Sequence, residues 1–479
     1  MNRTRCRLLL GVALTALACG DDPPIAGPAA SFIVLSGNRQ GAFPGQPLPQ
    51  LLRVRLTDAT GIGVRSATVS WSASAGTLGA PTSATNSSGD AAIAFTVGTQ
   101  TGPDTVVARV VGGTDSAVFV AYVVGTIPIV AQVAVPANYG IHDTFVRDGL
   151  AFASLWNTGV VIYDVGNGAF GGTPATPVPI DTVRTPDNGV AGGRASHNTW
   201  WFHNGAERRY LFVGQEGPSN GGVASGDIYV VDVSDLSNPD TVAFYHMAGA
   251  GTHNFWMDEP AQVLYAAYYN GGVVALNVSG VLSGNLAGRE LARIQPGGAG
   301  GTLMWGVQVA NGFVYAVDML SGVWQLQRNG TTFTALGGGN NVTERYSSDF
   351  WVHGNHIYSG TWGLRNTEPG NALKIWRLSP SGAPQLVDSI ITPGVGTVSD
   401  VQVSADGQVL VFSAEGGAGA GLYVYGLVDP EHPAPLARTA TLSLHTATIA
   451  EISGRRYVFA AKNPASPAMI VFDITGITP

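Results

Sequence analysis

Residues 197–205 read HNTWWFHNG, and a related opening, HNFWMDEP, returns from residue 253. Alignment on these two exposes a series: HDTFVRDG from 142, WGVQVANG from 305, SDFWVHGN from 348, SDVQVSADG from 399 and HTATIAEISG from 445. That makes seven openings, set roughly 43 to 56 residues apart, close to the period of a propeller blade. A turn follows several of them, at Asp148-Gly149, Asn311-Gly312 and Asp406-Gly407. Next comes an apolar run: LAFASLW, YLFVGQE, VLYAAYY, FVYAVDM, HIYSGTW, VLVFSAE or YVFAAKN. A third run follows, among them GVVIYDV, DIYVVDV, GVVALNV and AMIVFDI, and a fourth precedes the next opening. Four strands repeated seven times predict a seven-bladed β-propeller over 127–479, an arrangement that leaves only short sheet edges. The chain ends on a third strand, so IVAQVAV at 129–135 is expected to supply the missing strand of the last blade and close the ring.

The rest of the chain agrees with an all-β class. It has 479 residues with 65 Gly and 28 Pro, is 45% apolar and only 12% charged. Short runs rich in valine, threonine and aromatics are broken by Gly, Asn, Asp and Pro. Between 29 and 125, SFIVLSG, LLRVRLTD, ATVSWSAS, AAIAFTVG, TVVARVV and AVFVAYVV alternate in and out as the strands of a two-sheet β-sandwich do. Net charge is -8, and Lys374 and Lys462 are the only lysines. No basic footprint for nucleic acid exists.

Three resemblances sharpen this reading. Arg3, Arg5 and Arg7, the apolar LLLGVALTALA and the ending ALAC at 16–19 resemble the signal peptide and lipobox of bacterial lipoproteins. The resemblance implies removal of 1–18, lipidation of Cys19, a flexible tether over 19–28, and export to the outer membrane or cell surface. Cys6 leaves with the signal, so Cys19 has no partner for an internal disulfide. Asp58, Gly61, Val69, Trp71, Gly89 and Ala91 fall where the bacterial Ig-like domains of intimin and invasin type have their turn and strand signatures. This implies a spacer or adhesion module over 29–125, with Trp71 as a core anchor. VVIYDV, IVFDI and above all IYVVDVSDLSNP at 228–239 resemble the LVIVD repeats of bacterial and archaeal surface proteins. That family implies the propeller and a surface location but no particular activity.

The His-Asn pair is first of all punctuation: Asx and His side chains suit the turn that leads into each innermost strand. A chemical reading stands beside it. His142, His197, His253 and His445 belong to blades one, two, three and seven, which become neighbours on ring closure. Their imidazoles could then converge on a transition metal at the channel mouth, with Asp349 and Asp400 opposite. Trp305 takes the histidine position in blade four, either exposed for stacking on a sugar or other planar ligand, or plugging the channel. Phe145, Trp200, Trp256 and Trp351, three residues further on, read as inter-blade core. No G-x-S-x-G, H-E-x-x-H or P-loop occurs. The expected function is a lipid-anchored, monomeric surface protein whose propeller binds a surface protein or glycan. The alternatives are a metal-dependent enzyme at the channel mouth and a structural adhesin.

Overall fold

The computed structural model describes residues 26–135, 140–187, 195–217, 224–339, 344–380, 382–463 and 466–479. The signal peptide and Cys19 lie outside the described residues. These separate into two compact units, 26–38 with 50–96 and 104–121, and 39–49 with 97–103 and 122–479. Among the described residues the only helix is a 3-10 turn at Ala287–Arg289.

The first unit contains two antiparallel sheets. One pairs Ala29–Ser36 with Leu52–Asp58 and that strand with Asp90–Ile93. The other carries Gly102–Val110 beside Thr68–Ala73, and that strand beside Thr82–Ala84. Strict alternation buries Leu52, Val54 and Leu56 on one face of their strand while Arg53 and Arg55 stay outside. Trp71 is buried against Phe119, with ring centroids 6.0 Å apart, and its indole N–H donates to Ser83 Oγ at 2.9 Å. The anchor role expected of it therefore has a polar tie as well as an apolar one. Asp58 Oδ1 accepts the amides of Thr60 and Ile62, both at 2.9 Å, folding the chain around Gly61 at φ +86°.

The second unit is propeller-like and all-β. Six successive groups of four antiparallel strands follow one another, beginning with Asp143–Arg147, Leu150–Ser154, Val160–Asp164 and Val178–Val183. A seventh group holds Leu444–Ile452, Arg455–Lys462 and Ala468–Asp473, completed by Ile129–Ala134 from the start of the unit. The expected closing strand is thus in place, running antiparallel to Ala468–Asp473. The fifth and sixth groups also share the bridge Thr361↔Val398, which joins them into one continuous sheet.

Second and third strands such as Leu150–Ser154 and Val160–Asp164 are buried at every position. Alternation disappears there because both faces are covered by neighbouring sheets. Seven apolar clusters fill the gaps between consecutive sheets, and one of them joins Ala450, Phe459 and Met469 of the seventh sheet to Ile141 and Ala153 beside the first. The first strands touch in the same cyclic order, and Leu444–Ile452 meets Asp143–Arg147. Polar side chains tie these first strands together. Gln308 accepts Val352 N–H at 2.7 Å, Asp400 Oδ2 accepts Ala447 N–H at 2.8 Å, and Gln402 Oε1 accepts Ile449 N–H at 2.5 Å. At the ends of third strands, Asp164, Asp232, Asn277 and Asp473 each accept the amide two residues on, which ends the strand and starts the turn.

Candidate metal centre

The first strands converge on a central cavity of about 230 Å³. The equivalent positions of the seven openings are His142, His197, His253, Trp305, Ser348, Ser399 and His445, of which all but His197 and Ser348 line the cavity and form its floor. The four histidines come together as the spacing predicts. Ring centroids run 4.3 Å from His445 to His142, 3.7 Å to His197 and 4.3 Å to His253. The series continues 4.1 Å to Trp305, 5.1 Å to Trp362 and 5.8 Å back to His445, a closed circle of six aromatic rings. Small serines in the fifth and sixth sheets leave the space that Trp362 occupies. Trp305 is 9% exposed, lines the cavity and packs on His253 with the two rings tilted by 37°. It therefore closes the circle, and the expectation of an exposed stacking surface is corrected.

Hydrogen bonds set the imidazole tautomers. His253 Nδ1 donates to the Trp305 carbonyl at 2.6 Å, which leaves Nε2 with its lone pair. His445 Nδ1 faces Glu415 Oε1 at 2.8 Å, and its Nε2 lies 2.7 Å from His142 Nε2, so one proton is shared between the two rings. His197 is fully buried, and neither ring nitrogen has a hydrogen-bond partner; Glu216 Oε2 stands 3.5 Å from its Nε2. His142 Nδ1 is likewise buried without a partner. Leaving such groups unsatisfied costs about 1–3 kcal/mol each.

Burial, reinforced by the neighbouring imidazoles, holds His142 and His197 well below the usual histidine pKa. Burial also brings His253 down to about 3. His445 is the exception. Burial pulls it down, but the Glu415 carboxylate, helped by Glu216 and Asp400, outweighs burial and raises it. Burial pushes Glu216 up, against the Tyr269 hydroxyl that donates to it. Low proton affinity favours metal binding, which needs an unprotonated ring nitrogen; on His142 this is Nδ1 when Nε2 carries the proton shared with His445.

His142, His197 and Glu216 present ligand atoms that all lie within 4.8 Å of one another. This buried set is consistent with a transition-metal site. Ligands of a tetrahedral ion stand about 3.3 Å apart, so the set is looser by about 1.5 Å, a distance that small side-chain rotations cover. His253 and His445 flank it.

Glu216 was not among the residues the openings singled out. It is the last residue of the second apolar run in its repeat. The same position gives Trp156, Tyr269, Met319, Trp362, Glu415 and Asn463. Trp156 packs edge-on to His142 at 4.9 Å, and Tyr269 edge-on to His253 at 5.1 Å. Both are held at positive φ, 43° and 37°. Bulky residues avoid that region, at a cost of about 1–3 kcal/mol each, and such strain concentrates at functional sites.

One residue along each opening is a second layer: Asp143, Asn198, Asn254, Gly306, Asp349, Asp400 and Thr446. Asp349 and Asp400 line the same cavity as His142, His253 and His445. Asp349, however, is bonded to Asp400 and Asn254. Burial and the Asp400 charge raise Asp349 well above the usual carboxyl range and push Asp143 up to about 7. Gly306 makes room for this network, since a Cβ there would lie 2.8 Å from Asp349 Oδ1. A third layer corrects the core assignment of Phe145, Trp200, Trp256 and Trp351. They are only partly buried and line the cavity, while their flanks pack on the inter-sheet clusters.

No family model matches the chain, and no curated protein matches it. Among solved structures it is similar to the computationally designed Ika8 protein, at 9% identity and TM-score 0.45, over 72% of this chain and all of that one. It is similar to the Myceliophteria thermophila Cps50 (Swd1) beta-propeller domain, at 11% identity and TM-score 0.49, over 72% of this chain and 99% of that one. It is also similar to the C-terminal WD40 domain of Sif2, at 9% identity and TM-score 0.48, over 73% of this chain and 99% of that one.

Proposed function

We propose that this is an exported, lipid-anchored protein in which an Ig-like sandwich precedes a seven-bladed propeller, and that the propeller is a metal-dependent enzyme with its centre on the axis. The observation that carries the reading is the buried set His142, His197 and Glu216, with ligand atoms within 4.8 Å and unsatisfied nitrogens on both histidines. Imidazole-rich sets with one carboxylate suit zinc, copper, iron or nickel rather than magnesium or calcium. Such an ion supplies Lewis acidity or, for copper and iron, electron transfer. The chain's own residues do the rest. Glu415 orients His445, the Trp305 carbonyl orients His253, and the Tyr269 hydroxyl orients Glu216, the outer contacts that such ligands need. His142 lines the adjoining cavity, which would bring a small molecule up to that edge of the set.

Seven four-stranded groups, their cyclic clusters and the closing strand support the propeller. The two alternating sheets, the Asp58 turn and Trp71 support the Ig-like sandwich. ALAC at 16–19 supports the anchor, and labelled fatty acid should be incorporated by the wild type but not by Cys19→Ala.

Metal analysis of the purified protein tests the centre. We expect about one equivalent of a transition metal per chain after reconstitution, and its loss from a folded His197→Ala/Glu216→Ala variant. A folded wild type that takes up none would return the histidines to turn punctuation.

A further inference from the structure

Above the imidazole floor the cavity changes character. Phe145, Trp200, Trp256 and Trp351 come from four different sheets at one register position, each three residues after His142, His197, His253 or Ser348. Successive rings stand 5.2, 5.3 and 5.8 Å apart between centroids, forming an arc of aromatic surface in the cavity wall. Asp143, Asp349 and Asp400 lie between this collar and the floor. Among the described residues, no lysine or arginine lines the cavity. Thr144, Thr199 and Asn198 also line it. The upper wall therefore combines carboxyls with π surface, and the one imidazole of raised proton affinity, His445, lies at the floor against Glu415.

The collar also borders the outside. Phe145, Trp200 and Trp256 line an open surface depression together with Arg147 and Glu259. The one guanidinium there is neutralised, since Arg147 donates twice to Glu259 at 2.5 and 3.0 Å. The aromatic rings thus form the partition between solvent and cavity, the place a ligand passes first.

We propose that the upper half of the cavity binds a small substituted ammonium ion, its methyl groups against Phe145, Trp200, Trp256 and Trp351 and its charge towards the hydrogen-bonded pair of Asp349 and Asp400. Aromatic faces attract a weakly hydrated cation and hold it best when water is excluded. A small, strongly hydrated metal ion gains far less from such a wall, so the two halves of the cavity select different guests. The inference stands apart from the metal reading because it uses none of the imidazoles.

The probes are choline and tetramethylammonium, titrated into the metal-free full-length protein by calorimetry and tryptophan fluorescence, with 3,3-dimethylbutan-1-ol as the uncharged isostere of choline. We expect one saturable site that favours choline over the alcohol by about tenfold or more. Trp256→Ala and Asp400→Asn should each weaken choline by about tenfold, with Trp256→Phe restoring most of the loss. Binding should persist in His197→Ala, which separates this site from the metal centre. Equal binding of the alcohol, no binding to protein shown folded by circular dichroism, or a choline signal untouched in both weakened variants would each overturn the proposal.

Discussion

Asp143→Asn offers a direct reading of the electrostatics inside the cavity. Burial, with the Asp400 charge beside it, moves the Asp143 carboxyl from 3.8 to about 7. For an acid whose pKa is raised by folding, the associated stability is present below 3.8 and is lost as pH rises through about 7. Each tenfold change in proton affinity is worth about 1.4 kcal/mol, so the full span is about 4 kcal/mol. That is an upper bound, because Asp143 borders the cavity and water there screens part of the effect. Asparagine resembles the protonated acid at every pH and carries no such dependence. The stability difference between variant and wild type should therefore move in favour of the variant by about 2–4 kcal/mol between pH 4 and pH 7. Urea unfolding at half-unit pH steps, followed by tryptophan emission, measures it. Wild type alone is a poor witness: His253, lowered from 6.5 to about 3, gains stability with pH over nearly the same window and offsets Asp143. A difference that stays constant within about 0.5 kcal/mol across this range would mean that Asp143 titrates as an ordinary surface carboxyl, and the argument for a dry, acidic second layer would fail.

Two further substitutions probe how the second layer and the sheet contacts are built. Gln308→Ala removes both bonds to the Val352 peptide, leaves its buried N–H without an acceptor, and should lower stability by about 1–3 kcal/mol in urea unfolding. Gly306→Ala places a Cβ 2.8 Å from Asp349 Oδ1 and 3.1 Å from the Phe350 ring. A loss of about 1–3 kcal/mol is expected, and an unchanged urea midpoint would show that the carboxyl network shifts freely.

The repeat was legible because six of the seven openings carry a polar pair in front of an apolar strand, and the seventh, Trp305-Gly306, keeps the spacing and the turn that follows. Convergence of the four histidines was legible for the same reason: equivalent positions on cyclic repeats must share one level of the channel. Glu216 and Glu415 were not. Their position holds Trp, Glu, Tyr, Met, Trp, Glu and Asn across the seven repeats, so composition offers no signal and only strand register aligns them. Trp305 misled for a related reason. Two rings that pack on it, Trp362 and Tyr269, come from second-strand positions, and the first-strand pattern alone left its ring looking less enclosed than it is. The aromatic third layer misled because alternation identifies which side of a strand is apolar, whereas the first strands of a ring also turn an edge towards the axis.

The seam in the seventh sheet sets the timing of the site's assembly. Ile129–Ala134 is made early and its partner Ala468–Asp473 last, while His142 and His445 are 303 positions apart. Contacts of such sequence separation form slowly, since a long loop must close before they contribute. A growing chain can bring His142, His197 and Glu216 together once its first two sheets pair, whereas His445 joins them only when the two ends clasp. The circle of six rings is thus the last part of the centre to be completed, and the buried His142, His197 and Glu216 set is the first.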